Sequence, residues 1–283
     1  MPFGAVLLVL GAALCHSTWN LLLKRTSRPL DLWPRALLTG VVLTSPVLFV
    51  HPLREVSTLG WTMIVLSGLF ETGYVFSLAA AYRAGELSLV YPLARGTAPL
   101  VVTPLAAAMF GERPSASGLV AIVLVVTGIY ASYARGLRSA SAPGSRRAAG
   151  LALLTGVMTA GYSLVNSVGV RHVPVALYGF LVFVVNVALL CLVLRWRGQP
   201  SFKGGRGAWV RTTAIGVLMM TAYLAVLLAM SQAPVSYVVA GREVSIVVGA
   251  LLGVVVLGER DGRARLGGAL LIFLGLVVLA LSR

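Results

Sequence analysis

Two stretches of this chain are written in one register. Residues 89–112 read LVYPLARGTAPLVVTPLAAAMFGE, and residues 236–259 read SYVVAGREVSIVVGALLGVVVLGE. Arg95 and Arg242 stand 147 positions apart, and so do the tripeptides Gly111-Glu112-Arg113 and Gly258-Glu259-Arg260. The apolar run that follows each tripeptide carries a glycine at the same offset, Gly128 and Gly275. An arginine, a tripeptide and a glycine held in one register over roughly 35 residues point to duplication of a structural unit.

The unit is a membrane unit. Of the 283 residues, 58% are hydrophobic and 11% are charged, against roughly 25% charged in soluble domains. Apolar runs of roughly 18–24 residues recur along the whole length, each long enough to cross ~30 Å of hydrocarbon. Ten spans are expected, at about 3–23, 35–50, 59–82, 88–110, 117–134, 150–170, 175–194, 211–231, 236–257 and 266–282. The fold class is therefore an all-α integral membrane protein of ten transmembrane helices. The basic connection 135–149 separates a first five-helix repeat, 1–134, from a second, 150–283. An odd number of spans per repeat inserts the second copy upside down, so a pseudo-two-fold axis should lie in the membrane plane. Met1–Gly4 carries no basic segment, so the first apolar run reads as a span rather than a cleavable signal.

The net charge of +15 does not indicate nucleic acid, because the cations sit in short loops between spans. Loops on one side carry seventeen Lys and Arg and those on the other carry four; Arg95 and Arg242, inside spans, complete the 23. That bias places both termini outside the cytoplasm, in a cell inner membrane. Cys15 and Cys191 lie in apolar runs, and His16, His51 and His172 lack metal-ligand spacing. No disulfide framework, metal or other cofactor is expected. Gly249-x-x-x-Gly253 permits close helix approach; general packing and a homodimer seam are both compatible with it, so monomer and homodimer stay open.

Ionisable groups at bilayer depth cost roughly 2.5–3.5 kcal/mol each and are normally turned toward a cavity or a partner. Four stand out: Glu71, Arg95, Arg242 and Glu243. Arg95 lies about 9 Å below the start of its span at ~1.5 Å per residue, and Arg242 is as deep in its own. In an inverted pair the two arginines approach the midplane from opposite faces and can hold an anionic group. Glu71 and Glu243 are the candidates for proton coupling, Glu71 foremost. The structural alternative pairs Arg95 with Glu71 and Arg242 with Glu243. His16 and Asn20, four residues apart, share a helix face, and Asn166 stands near Tyr162 in the sixth span. These four, with the aromatic rings of Trp19 and Tyr74, are expected to line the substrate cavity. Trp33, Trp61, Trp196 and Trp209 fall at span ends and read as interface anchors. Pro92, Pro99 and Pro104 predict that the fourth span is more kinked than the ninth. Glu112 and Glu259, flanked by Gly and Arg, are read as caps of the helices that follow them, or as partners of a nearby arginine.

The paired Gly111–Arg113 with Gly128 and Gly258–Arg260 with Gly275 resemble the drug/metabolite transporter superfamily, in its ten-span branch with two EamA-type repeats. The resemblance covers essentially the whole chain. It implies secondary transport by alternating access, often export of amino acids, related metabolites or toxic compounds, coupled to protons or exchange, through a cavity between the halves. The segment His16–Asn20 is similar to a subgroup associated with phosphonate utilisation. Ten-span members usually have both termini inside, which the charge count here opposes.

The expected function is thus a secondary active transporter of a small polar metabolite, amino-acid-like and zwitterionic or anionic, working as an exporter coupled to protons or exchange. A multidrug or amphiphile exporter or lipid-like flippase is the alternative within the class. A membrane-embedded enzyme would need a metal motif, a G-x-S-x-G or a nucleotide loop, none of which is written here. A non-transporting scaffold would normally carry a soluble module.

Overall fold

The computed structural model describes residues 1–24, 29–132, 145–198, 206–248, 251 and 262–281. The connection 135–144, the second tripeptide with Glu259, and the Gly249/Gly253 pair lie outside the described residues. Every regular element among the described residues is helical. The first half contains α1 (Phe3–Lys24), α2 (Pro29–Thr44), α3 (Thr58–Ala84), α4 (Leu87–Phe110) and α5 (Ala116–Ser132). The second contains α6 (Ser145–Gly169), α7 (Val175–Trp196), α8 (Arg206–Met230), α9 (Val235–Gly241) and α10 (Gly262–Leu281). Seven helical stretches are long and apolar enough to cross a bilayer, one of them, Leu32–Val50, running past the end of α2, and Ala116–Ser132 and Gly267–Leu281 are shorter apolar helices.

The ninth span departs from the expected single run. α9 ends at Gly241, Arg242 and Glu243 form a turn, and helix resumes at 244–248. Across the turn the ladder tightens to i→i−3 bonds: Glu243 N donates to Ala240 O, Ser245 N to Arg242 O and Ile246 N to Glu243 O. The proline-bearing copy is the intact one, since α4 runs unbroken through Pro92, Pro99 and Pro104. The expectation that α4 would be the more distorted copy is therefore reversed. A proline removes a single ladder bond, whereas the Arg242–Glu243 turn sends two adjacent charged side chains apart, Glu243 to Arg95 of the other repeat and Arg242 to Tyr162 of its own.

The helices pack as two interlocked, inverted sets. The extensive α3–α6 contact is mirrored by α8–α1, and α2–α8 is mirrored by α7–α3. α5–α10, α2–α7 and α4–α9 each pair with themselves under the same exchange. The α5–α10 crossing shows the symmetry at single-residue level. A Cβ on Gly128 would lie 2.6 Å from Gly268 O and 2.8 Å from Ile272 N. A Cβ on Gly275 would lie 2.9 Å from Ala121 O and 3.1 Å from Val125 N. Each contact converts into the other by a shift of 147 positions, so the glycines read as a repeat mark are where two helix backbones touch. Outward, large apolar residues such as Phe3, Leu14, Leu192 and Phe49 are exposed, as a lipid-facing surface requires.

Candidate functional site

A cavity of about 910 Å³, mouth included, opens between the two halves. α1 contributes Ala12, Ala13, His16 and Trp19 to its wall, and α2 contributes Trp33 and Leu37. Glu71, Tyr74 and Val75 enter from α3, and Arg95 from α4. The second half supplies Tyr162 and Asn166 from α6, Phe183 and Asn186 from α7, four residues of α8 including Tyr223, and Arg242 from the break after α9. His16, Trp19, Glu71, Tyr74, Arg95, Tyr162, Asn166 and Arg242, singled out in the sequence, thus meet in one place.

Two do not line it. Asn20 is exposed and its side-chain amide donates to its own helix at His16 O, 2.7 Å away. The shared helix face with His16 is satisfied within α1 and does not bring Asn20 to the cavity. Glu243 is buried behind the wall, its Oε2 at 2.9 Å from Arg95 Nε.

That ion pair replaces both expected pairings. Arg95 also donates from Nη2 to Ser245 Oγ at 2.9 Å, and Ser17 Oγ donates to Ser245 O at 2.9 Å. The Arg95 Nε–H is not aligned as a hydrogen bond to the carboxylate, so the contact is chiefly coulombic. Arg95 is therefore neutralised by the opposite repeat. Arg242 is not: it donates from Nη2 to Tyr162 OH at 3.2 Å, and its guanidinium carbon sits 5.8 Å from that ring's centre. Among the described residues no carboxylate lies within 4.0 Å of it.

Glu71 sits in a polar chain. Asn186 Nδ2 donates to its Oε2 at 2.8 Å, while Thr72 Oγ1 donates to Asn186 Oδ1 at 3.3 Å. Its Oε1 is buried and accepts no hydrogen bond from the described residues. Asn166 is more fully engaged: its Oδ1 accepts from Ser67 and Tyr178 at 2.6 and 2.9 Å, and its Nδ2 donates to Tyr223 OH at 3.1 Å. The aromatic wall is held edge to face, with Tyr74 on Tyr162 at 6.1 Å, His16 on Trp19 at 4.9 Å and Trp19 on Trp33 at 5.8 Å. Trp33 is thus a wall residue rather than an interface anchor, whereas Trp61, Trp196 and Trp209 remain outward and exposed.

An EamA-like transporter family model matches residues 3–134 and again 146–281. The chain belongs to the EamA-like transporter family. The match fits this protein as a multi-pass transporter of the drug/metabolite superfamily, with a lipid bilayer around it and a small-molecule substrate. A solved crystal structure of a protein aligns over 97% of this EamA-like chain and 95% of its own, at 21% identity and a TM-score of 0.77. At that identity the likeness shows the fold alone. No curated protein matches.

Sequence reasoning missed Asn186, Ser245, Phe183 and Trp33. Asn186 was within reach, since a carboxamide in the middle of the apolar run VALYGFLVFVVNVALLCLVLRW is conspicuous on the same insertion argument that found Glu71. Ser245 and Phe183 carried no such signal. Among the described residues no cluster of three metal-ligating side chains occurs.

Proposed function

We propose that this EamA-like protein is a secondary active exporter of a small, amino-acid-like zwitterion or anion across the cytoplasmic membrane, working by alternating access. The observation that carries the reading is the pair of unmet charges in one cavity: Arg242 without a carboxylate partner, and Glu71 with one carboxylate oxygen unengaged. A buried charge without a partner is costly. A solute bearing a carboxylate or phosphonate for Arg242 and an ammonium for Glu71 relieves both. In this scheme Tyr74, Tyr162 and Trp19 enclose the solute, and Glu71 takes up or releases the coupling proton when the solute leaves. The units 1–134 and 150–283, joined by 135–149, rock against each other about the site. The excess of cations in one set of loops supports termini facing outward.

The test is counterflow and uptake in proteoliposomes holding the purified protein, with amino acids, aminophosphonates and lipophilic organic cations, with and without a pH gradient. A zwitterionic solute is expected to exchange, and Arg242→Gln to reduce that exchange at least roughly tenfold in folded protein. Transport of lipophilic cations that survives Arg242→Gln overturns the reading in favour of a multidrug exporter, which the aromatic wall would serve.

A further inference from the structure

The tripeptide Gly111-Glu112-Arg113 takes no part in the cavity, yet the fold engages it closely. α4 ends at Gly111 in a left-handed conformation, φ 67°, which a residue without Cβ adopts freely. The reversal aims Glu112 not at the following helix but at α9 of the other repeat. Val235 N donates to Glu112 Oε1 at 2.7 Å, Ser236 N to Oε2 at 3.3 Å and Ser236 Oγ to Oε2 at 2.6 Å. Beside it, Ser115 N donates to Tyr237 OH at 2.9 Å. Gly118 packs so closely under the Tyr237 ring that no side chain would fit.

We infer that Glu112 is a positioning residue for Arg242, acting across the repeats through α9. The N-cap of α9 is Pro234, which supplies no side-chain cap, so the first free amides of the helix depend on Glu112. A carboxylate at that end also complements the helix dipole. α9 has seven residues, all buried. A helix this short is unstable alone and takes its place from what holds its ends. Its far end is the turn that carries Arg242, about 10 Å from the cap at ~1.5 Å per residue. The cap therefore sets the position of the cation from the first repeat's α4–α5 turn. This inference rests on the reading of Arg242 as the solute's cation.

Hydrogen–deuterium exchange and counterflow on the full chain in nanodiscs and proteoliposomes test it, with Glu112→Ala, Glu112→Gln and Ser236→Ala. Glu112→Ala is expected to speed exchange of the amides of 235–241 and of the turn 242–248 by roughly tenfold, the scale of a lost cap, and to leave α7 unchanged. The solute KM is expected to rise by a similar factor at unchanged recovery of monodisperse protein. Glu112→Gln, which keeps an acceptor oxygen, should restore most of both. Arg242→Gln combined with Glu112→Ala should be no worse than Arg242→Gln alone. Faster exchange confined to 235–241, or a parental KM in Glu112→Ala, overturns the inference and leaves an ordinary helix cap. If Glu112→Ala is not recovered folded, Glu112→Gln and Ser236→Ala decide by the same readouts. If the parent carries no assayed solute, the reading of the cavity fails, while exchange at 242–248 still decides whether Glu112 governs the turn.

Discussion

Arg95 Nε, in α4 of the first repeat, lies 2.9 Å from Glu243 Oε2, in the broken span of the second. The two residues occupy the duplicated stretch, but they are not equivalent positions in it. Arg95 matches Arg242 at the 147-residue offset, and Glu243 is the neighbour of that match. The duplication therefore diverged at its centre: one arginine became half of an inter-repeat ion pair, and the other faces the cavity with a tyrosine hydroxyl, not a carboxylate, at its guanidinium.

Removing one half of the pair should be worse than removing both. Glu243→Gln leaves Arg95 buried without a counter-charge, a loss of about 3–5 kcal/mol by analogy with other buried pairs. Thermal unfolding of the detergent-solubilised variant should show a clear fall in Tm. The double variant Arg95→Gln with Glu243→Gln should recover much of it. Equal falls in all three variants would mean that the pair is not energetically coupled.

Arg242 should behave in the opposite way. Its described side-chain partner is the neutral Tyr162, through a hydroxyl and a ring face, interactions worth about 0.5–2 kcal/mol. Arg242→Gln should therefore lower Tm only slightly while reducing counterflow at least roughly tenfold, the consequence of losing one charge-assisted contact to solute. Arg242→Lys keeps the charge but not the planar fork and should fall between. A Tm loss that accounts for the transport loss would assign Arg242 to the scaffold.

Tyr162→Phe isolates the hydroxyl. The ring still faces Tyr74, but Arg242 loses its one neutral acceptor. KM should rise by roughly threefold to tenfold, as for a net hydrogen bond of about 0.5–1.5 kcal/mol. An unchanged KM with a lower maximal rate would show the contact to matter for the conformational cycle rather than for binding.

Glu71→Gln tests coupling. The amide keeps an oxygen for Asn186 Nδ2 but cannot exchange a proton. Uptake driven by a pH gradient should lose its response to the gradient, and counterflow without a gradient should persist. A gradient response that survives would move the coupling site elsewhere.

Bulk at the α5–α10 crossing should be poorly tolerated. Gly128→Val and Gly275→Val drive side chains into backbone, an overpacking of about 1–3 kcal/mol or more. Gly11→Ala, with nothing within 4 Å of the new Cβ, should be neutral or gain up to ~1 kcal/mol from helix propensity. Thermal stability of the three variants side by side checks the ranking.

The membrane class, the ten spans, the inverted duplication and most of the polar and charged residues lining the cavity were legible in the amino-acid order. The reason is that insertion into hydrocarbon is decided locally: a span is a length of apolar residues, and a charge inside it stands out against its own neighbours. Glu71, Arg95 and Arg242 could be found in this way, and the 147-residue register of Gly128 and Gly275 marked the duplication; that the two glycines are where the backbones touch came from the packing.

Partners were another matter. Arg95 facing Glu243, Glu112 reaching α9, Trp33 turning inward and Asn20 turning outward depend on which helix lies beside which and at what rotation. The break at Arg242–Glu243 followed the same rule. No proline or glycine pair announces it, and it accompanies two adjacent charged side chains going to different places, Glu243 to Arg95 of the other repeat and Arg242 to Tyr162 of its own. Chain order by itself determined what had to be buried; only the packing of the helices decided what each buried charge would meet, because those contacts join residues about 80–150 positions apart, farther than any local pattern extends.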